Sequence, residues 1–294
     1  MKTDLSGTSR RSSSTVRRLL LIVSVVAVAL LGSPLSAANA TGQPGPYDAL
    51  GDSYSSGVGT ASATGPCGQS QKAYPPLWRN ANRPTGFAFL ACGGATIADV
   101  SRQVADPRFL PSATLVTLTA GGNDVGFGTV VSACTTGTDA ACSAAVENGI
   151  NIANSAQFHE NLVALFGQIH KAAPNSTIIM LGYPRLFETT AVCFAVAPNQ
   201  SRRININRGA VVLQQAIAAA VADSANAGSN VRYVDVDSYF TNHRVCSISP
   251  WINGATLPTS ESFHPNAKGH ANGYLPALTK ATSTLVLSSP TAAA

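Results

Sequence analysis

Short apolar runs alternate along this chain with longer stretches whose apolar residues recur every three or four positions. The short runs read as strands and the longer ones as helices. Tyr47 to Leu50 predicts a buried strand, broken by Gly51 and followed by a small-residue run that opens a helix. Gly86 to Leu90, with Phe87 and Phe89, predicts a second strand, and Asp99 and Val100 begin a helix. Thr114 to Ala120 alternates Leu, Val and Leu with threonine, as a strand does. A looser region containing Cys134 and Cys142 follows. Asn154 to Ala173 has helical spacing at Phe158, Leu162, Leu165, Phe166 and Ile169, stopped by Pro174. Ser176 to Leu181 is an almost wholly apolar strand, Ile204 to Ala225 an Ala- and Val-rich helix, and Val231 to Val236 a last alternating strand. Leu275 and Leu278 begin a closing helix, and Pro290 to Ala294 reads as a frayed tail. Residues 57–84, 125–152 and 185–203 are the least readable. Strands alternating with helices predict a mainly parallel sheet flanked by helices. With no internal repeat or linker, residues 41–294 read as one domain.

The first forty residues follow different rules. Arg10, Arg11, Arg17 and Arg18 precede an apolar run from Leu19 to Leu31, and Ala38-Asn39-Ala40 has the small-x-small form of a cleavage site. The run is roughly 13 residues long, against about 20 for a membrane span. Residues 1–40 are therefore expected to be a signal peptide cleaved after Ala40, with the general secretory and twin-arginine routes both open. The formal net charge is +5 for the whole chain. The leader carries most of it, so residues 41–294 are close to neutral. No basic patch or aromatic-interleaved arginine run remains in them, and nucleic acid is not expected as a partner.

All six cysteines, Cys67, Cys92, Cys134, Cys142, Cys193 and Cys246, lie in the exported part. An even count in a secreted, extracellular protein predicts three disulfides. Nearest-neighbour pairing (67–92, 134–142, 193–246) is the expectation among many possible sets. No cysteine or histidine cluster has zinc-ligand spacing, so neither a metal nor another cofactor is expected.

Four turns carry the candidate chemistry: Gly51-Asp52-Ser53, Gly93-Gly94, Gly121-Gly122-Asn123-Asp124 and Ser262-Phe263-His264-Pro265. Turns after successive parallel strands converge on one sheet edge. Acyl transfer needs a nucleophile, a base and donors aimed at a developing oxyanion. Ser53 offers the first and His264 the second; the Gly94 N–H and the Asn123 amide offer the third. Plainer roles suit other residues. Ser55 and Ser56 read as turn or helix residues, Asp52 as a cap and Asp124 as loop structure. His270 reads as a surface or cap residue, and His159, His170 and His243 as polar residues without evident partners. Asp235 and Asp237 flank a strand end. Phe187, Phe194 and Trp251 read as core or rim, some of them lining an acyl pocket.

These blocks resemble those of the SGNH (GDSL-type) hydrolases over nearly the whole of residues 47–275. Gly51-Asp52-Ser53 matches the first block, with Tyr54 where many members have leucine. Ala91 to Thr96 matches the second loosely, with Gly93 for the usual serine; Gly121 to Asp124 matches the third and His264-Pro265 the last. Together with the cysteines, the chain is most similar to the extracellular bacterial lipases, esterases and phospholipases A1 of that superfamily. The resemblance implies a three-layer α/β/α sandwich with a flavodoxin-like sheet of about five parallel strands. It implies Ser53 as nucleophile, His264 as base, and an oxyanion hole of the Ser53 and Gly94 N–H groups with the Asn123 side chain. The family usually has aspartate three residues before the histidine, where this chain has Glu261. Either the Glu261 carboxylate or a backbone carbonyl of Glu261 or Ser262 then orients His264. The expected protein is a monomeric, cofactor-free serine esterase acting on lipid esters, with transient contact at lipid interfaces. The alternatives are a carbohydrate acetyl esterase and a non-catalytic lipid- or glycan-binding protein.

Overall fold

A computed structural model describes residues 43–190, 192–193 and 195–287. The expected signal peptide, Phe194 and the tail from Pro290 lie outside these residues.

Five strands form one sheet: β1 (Tyr47–Ala49), β2 (Phe87–Phe89), β3 (Leu115–Leu118), β4 (Thr177–Leu181) and β5 (Val231–Val234). Their order is β2-β1-β3-β4-β5, every neighbour parallel. Tyr47 is in register with both Phe87 and Leu115, and Ile178 with Val231. Every residue of β1, β3 and β4 is buried, as expected of strands covered by helices on both faces. One helix layer is α3 (Ile97–Val104), α6 (Ala156–Ala172) and α7 (Gln200–Asn226), packed side by side. The other is α2 (Tyr74–Asn82) against α8 (Leu275–Leu287), which also meets β4 and β5. This is the α/β sandwich with the flavodoxin-like strand order. From β1 the chain crosses to one side to build β2, then returns past β1 to build β3. That reversal leaves a crevice beyond the carboxyl ends of β1 and β3, where open α/β sheets bind ligands.

Four elements differ from the sequence reading. The loose region around Cys134 and Cys142 is helical, as α4 (Phe127–Thr136) and α5 (Asp139–Ala153). Cys134 is the only buried residue of α4, and α5 buries Cys142, Val146, Gly149 and Ala153. A helix that buries so few side chains leaves a weak apolar period in its sequence. Within the poorly readable stretch 57–84, Tyr74-Pro75-Pro76 forms the first turn of α2. Proline is tolerated there because first-turn N–H groups have no intrahelical acceptor. α7 starts before Ile204, at Gln200, where the Asn199 side chain accepts from Arg202 N at 3.0 Å.

The disulfides join Cys67–Cys92, Cys134–Cys142 and Cys193–Cys246, and no described cysteine is free.

Candidate active site

Between β1 and α1 (Ser53–Ser56) the chain turns through Gly51, whose φ is +119°. A Cβ there would lie 2.6 Å from the Thr119 carbonyl oxygen and 2.7 Å from its nitrogen, so only glycine lets the turn lie against β3. The Gln103 amide closes around it, accepting from Gly51 N at 2.8 Å and donating to Gly51 O at 2.9 Å. Asp52 then caps α1, accepting from Tyr54 N at 3.0 Å, Thr119 Oγ1 at 2.6 Å and Tyr183 OH at 2.5 Å. Burial lifts the Asp52 carboxyl to about 6 even though these three donors pull it down. Its role is to hold the turn. Ser53 thus begins a short helix whose other three residues are also buried.

His264 comes from the far end of the chain. Its Nε2 lies 2.7 Å from Ser53 Oγ, and its Nδ1 lies 2.9 Å from the Ser262 carbonyl oxygen. A carbonyl only accepts, so Nδ1 carries the proton and Nε2 is free to accept one from Ser53. Burial lowers the imidazole to about 4, with the Ser262 bond opposing that shift. Glu261 sits in a short 3₁₀ turn, Thr259–Glu261. Its backbone carbonyl accepts from Asn253 Nδ2 at 3.1 Å, while its carboxylate forms no hydrogen bond or ion pair among the described residues. Of the alternatives the sequence left open, the one facing Nδ1 is the Ser262 carbonyl.

Gly94 follows the Cys67–Cys92 disulfide, and Gly93 N donates to Cys67 O at 2.8 Å, fixing this turn to the 64–69 loop. Gly94 has φ +80°, and a Cβ there would meet open space. Its freedom is needed for the backbone, not for packing. Asn123 Nδ2 donates to Ala95 O at 2.9 Å, and Asp124 accepts from Ile97 N at 3.0 Å. The turn after β3 thereby braces the turn after β2. Ser53, Gly94, Asn123 and His264 all line one open groove. An apolar pocket leads from Ser53 and Asn123 beneath Phe127, between Val146 and Ile150 of α5 and Ile206 and Leu213 of α7.

Other residues take structural places. His270 is wholly buried, not at the surface. Tyr74 N donates to its Nδ1 at 3.2 Å, Tyr274 packs near it, and burial lowers it to about 3. His159 pairs with Asp223 at 3.1 Å, and His243 stacks on Trp251 at 3.7 Å. Asp237 holds Arg185 and Arg244. Phe187 is buried against Phe263. Two contributors escaped the sequence reading. Tyr183 follows β4 in a Gly-Tyr-Pro turn at the same sheet edge as the other blocks, and that placement was a usable signal. Asn253 lies in an irregular loop that gave none.

Residues 49–271 match the GDSL-like lipase/acylhydrolase family. The chain belongs to this family. It is a carboxylic ester hydrolase on the α/β sandwich that the sequence predicted. A lipase of Streptomyces rimosus is 36% identical over 280 residues, which span 92% of this chain and 98% of the relative. The solved phospholipase A1 of Streptomyces albidoflavus NA297 is 37% identical, with a TM-score of 0.75 over 81% of this chain and 99% of that one. The extracellular lipase structure from S. rimosus is 34% identical, with the same TM-score and coverage.

Proposed function

We propose that this hydrolase is secreted and cleaves carboxylic esters of lipids through an acyl-enzyme on Ser53. The observation that carries the reading is the 2.7 Å Ser53 Oγ to His264 Nε2 contact at the mouth of an apolar pocket. In this reading His264 takes the Ser53 proton as Oγ attacks the ester carbonyl. The negative oxygen of the tetrahedral intermediate is met by the N–H groups of Ser53 and Gly94, neither of which has another acceptor among the described residues, and by the Asn123 amide. His264 then protonates the departing alcohol, and water hydrolyses the acyl-enzyme by the same route. The Ser262 carbonyl dipole holds the imidazole in the tautomer the first step needs.

The pocket favours an aliphatic acyl chain over an acetyl group, because a chain threading between α5 and α7 removes apolar surface from water at roughly 0.8 kcal/mol per methylene. Lipase and phospholipase relatives support lipid esters as substrates, and the leader with three disulfides supports export. The secreted form should begin at Thr41.

A phosphonate ester with a long alkyl chain tests the nucleophile. The expected result is one stoichiometric adduct, found on the peptide containing Ser53 by mass spectrometry. Adduct on another serine, or none while esters are hydrolysed, would overturn the assignment. Asn123→Ala is expected to lower kcat by about 10²–10³, the usual cost of one oxyanion donor.

A further inference from the structure

A carboxylate that orients a histidine sits on a rotatable side chain and can follow the ring. A backbone carbonyl cannot; its direction is set by the dihedral angles of the residues beside it. Here the residue between the Ser262 carbonyl and His264 is Phe263, with φ +59°. Bulky residues seldom enter this left-handed region, and they stay there only where the surroundings enforce it. The enforcing groups are identifiable. Phe263 N belongs to the same peptide plane as the Ser262 carbonyl, and it donates to Asn253 O at 3.2 Å. The next plane carries the Phe263 carbonyl, which accepts from Tyr54 OH at 2.7 Å. Asn253 N donates to His264 O at 2.9 Å, and Asn253 Nδ2 donates to Glu261 O at 3.1 Å and Gly59 O at 2.9 Å. Both planes that define the Phe263 conformation are therefore pinned, one by Asn253 and the other by Tyr54.

We propose that the Tyr54 hydroxyl, acting with Asn253, is the positioning device that holds the Ser262 carbonyl on His264 Nδ1. The proposal rests on the roles given above to Ser53 and His264. Tyr54 suits the task for three reasons. It follows Ser53 on the first turn of α1, so one side chain ties the nucleophile's helix to the base's loop. Its ring lies 5.2 Å from the imidazole, centroid to centroid, on the wall of the apolar pocket, while its hydroxyl is engaged by the Phe263 carbonyl. Burial pushes its phenol far above the ordinary range, so it stays a donor wherever the enzyme works.

Tyr54→Phe keeps the ring and removes only the hydroxyl. It is compared with wild type for kcat and KM on a soluble ester, with Ser53→Ala as control. The Nδ1 proton of His264 is followed by NMR in ring-¹⁵N-histidine-labelled protein. We expect Tyr54→Phe to lower kcat about tenfold or more, leave KM within about twofold, and weaken the Nδ1 proton signal. Asn253→Asp, which replaces the donating amide by an acceptor, should act in the same direction. A Tyr54→Phe kcat within about twofold of wild type, or a lower kcat with an unchanged Nδ1 signal, overturns the proposal. An active Ser53→Ala protein would instead overturn the reading beneath it.

Discussion

At the scale of single residues, the proposed site differs from a side-chain triad at one point, the group facing His264 Nδ1. Because the Ser262 carbonyl occupies that place and the Glu261 carboxylate forms no hydrogen bond or ion pair among the described residues, Glu261→Gln should leave kcat within about twofold of wild type. A loss of more than tenfold would return the orienting role to the carboxylate. The carbonyl brings no negative charge to hold a proton on the ring, and burial lowers the imidazole to about 4. A base with a depressed pKa stays neutral as the pH falls below the ordinary histidine range. The acid limb of kcat/KM is therefore expected well below pH 6.5, approaching the region of 4, and a limb at 6.5 or above would contradict it. Ser53 and the Gly51 turn were legible because a strand pattern ending in glycine marks a sheet-edge turn. His264 was legible through its motif. The carbonyl orienter was visible only as one of several options, since it depends on the dihedral angles of Phe263, a residue type that signals no left-handed turn. The burial of His270 was hidden for a related reason. Its sequence neighbours are small and polar, and the groups that bury it, Tyr74 and Tyr274, approach from the helical segments around it.

Among the elements, α5 and α7 line the apolar pocket beside Ser53, and each contributes a glycine to its wall. The two glycines are not equivalent. A Cβ on Gly149 would lie 2.8 Å from the Val125 carbonyl oxygen, a backbone atom with little room to give. A Cβ on Gly209 would meet only a Val146 methyl at 3.4 Å. Gly149→Ala should therefore lower the melting temperature, whereas Gly209→Ala should fold well and gain from better helix propensity. Gly209→Leu should reduce hydrolysis of long-chain esters at least tenfold relative to acetate, each lost methylene contact weakening binding. An unchanged chain-length profile would remove this pocket from the substrate path. These helices show where the pattern reading stops. Strands buried on both faces announce themselves as apolar runs. α4 and α5 bury few residues, part of them toward the core and part along the pocket, so their sequence carries little helical period.

For the whole molecule, the three disulfides close loops of very different length, and one of them joins α4 to α5. Cys193–Cys246 spans 53 residues of sequence, Cys67–Cys92 spans 25 and Cys134–Cys142 spans 8. Each bond typically stabilises by about 2–4 kcal/mol, more for the longer loop. Full reduction should lower the melting temperature strongly, and loss of Cys193–Cys246 alone should cost more than loss of Cys134–Cys142. Loss of Cys67–Cys92 should additionally lower kcat, because that bond anchors the turn carrying Gly94. An unchanged melting temperature in reductant would contradict this account. The strand order was within reach of the sequence because the turns after β1, β2 and β3 each carried a block of one family pattern. The irregular loops that shape the groove had no such guide.

The central claim is that Ser53, beside an apolar pocket, makes this chain a lipid-ester hydrolase. The most direct measurement is hydrolysis of p-nitrophenyl esters from acetate to palmitate, together with a phosphatidylcholine, by the protein from Thr41 onward and by its Ser53→Ala variant. Turnover is expected to favour medium or long chains over acetate and to be abolished in the variant. Turnover confined to acetate, or an equally active variant, would contradict it.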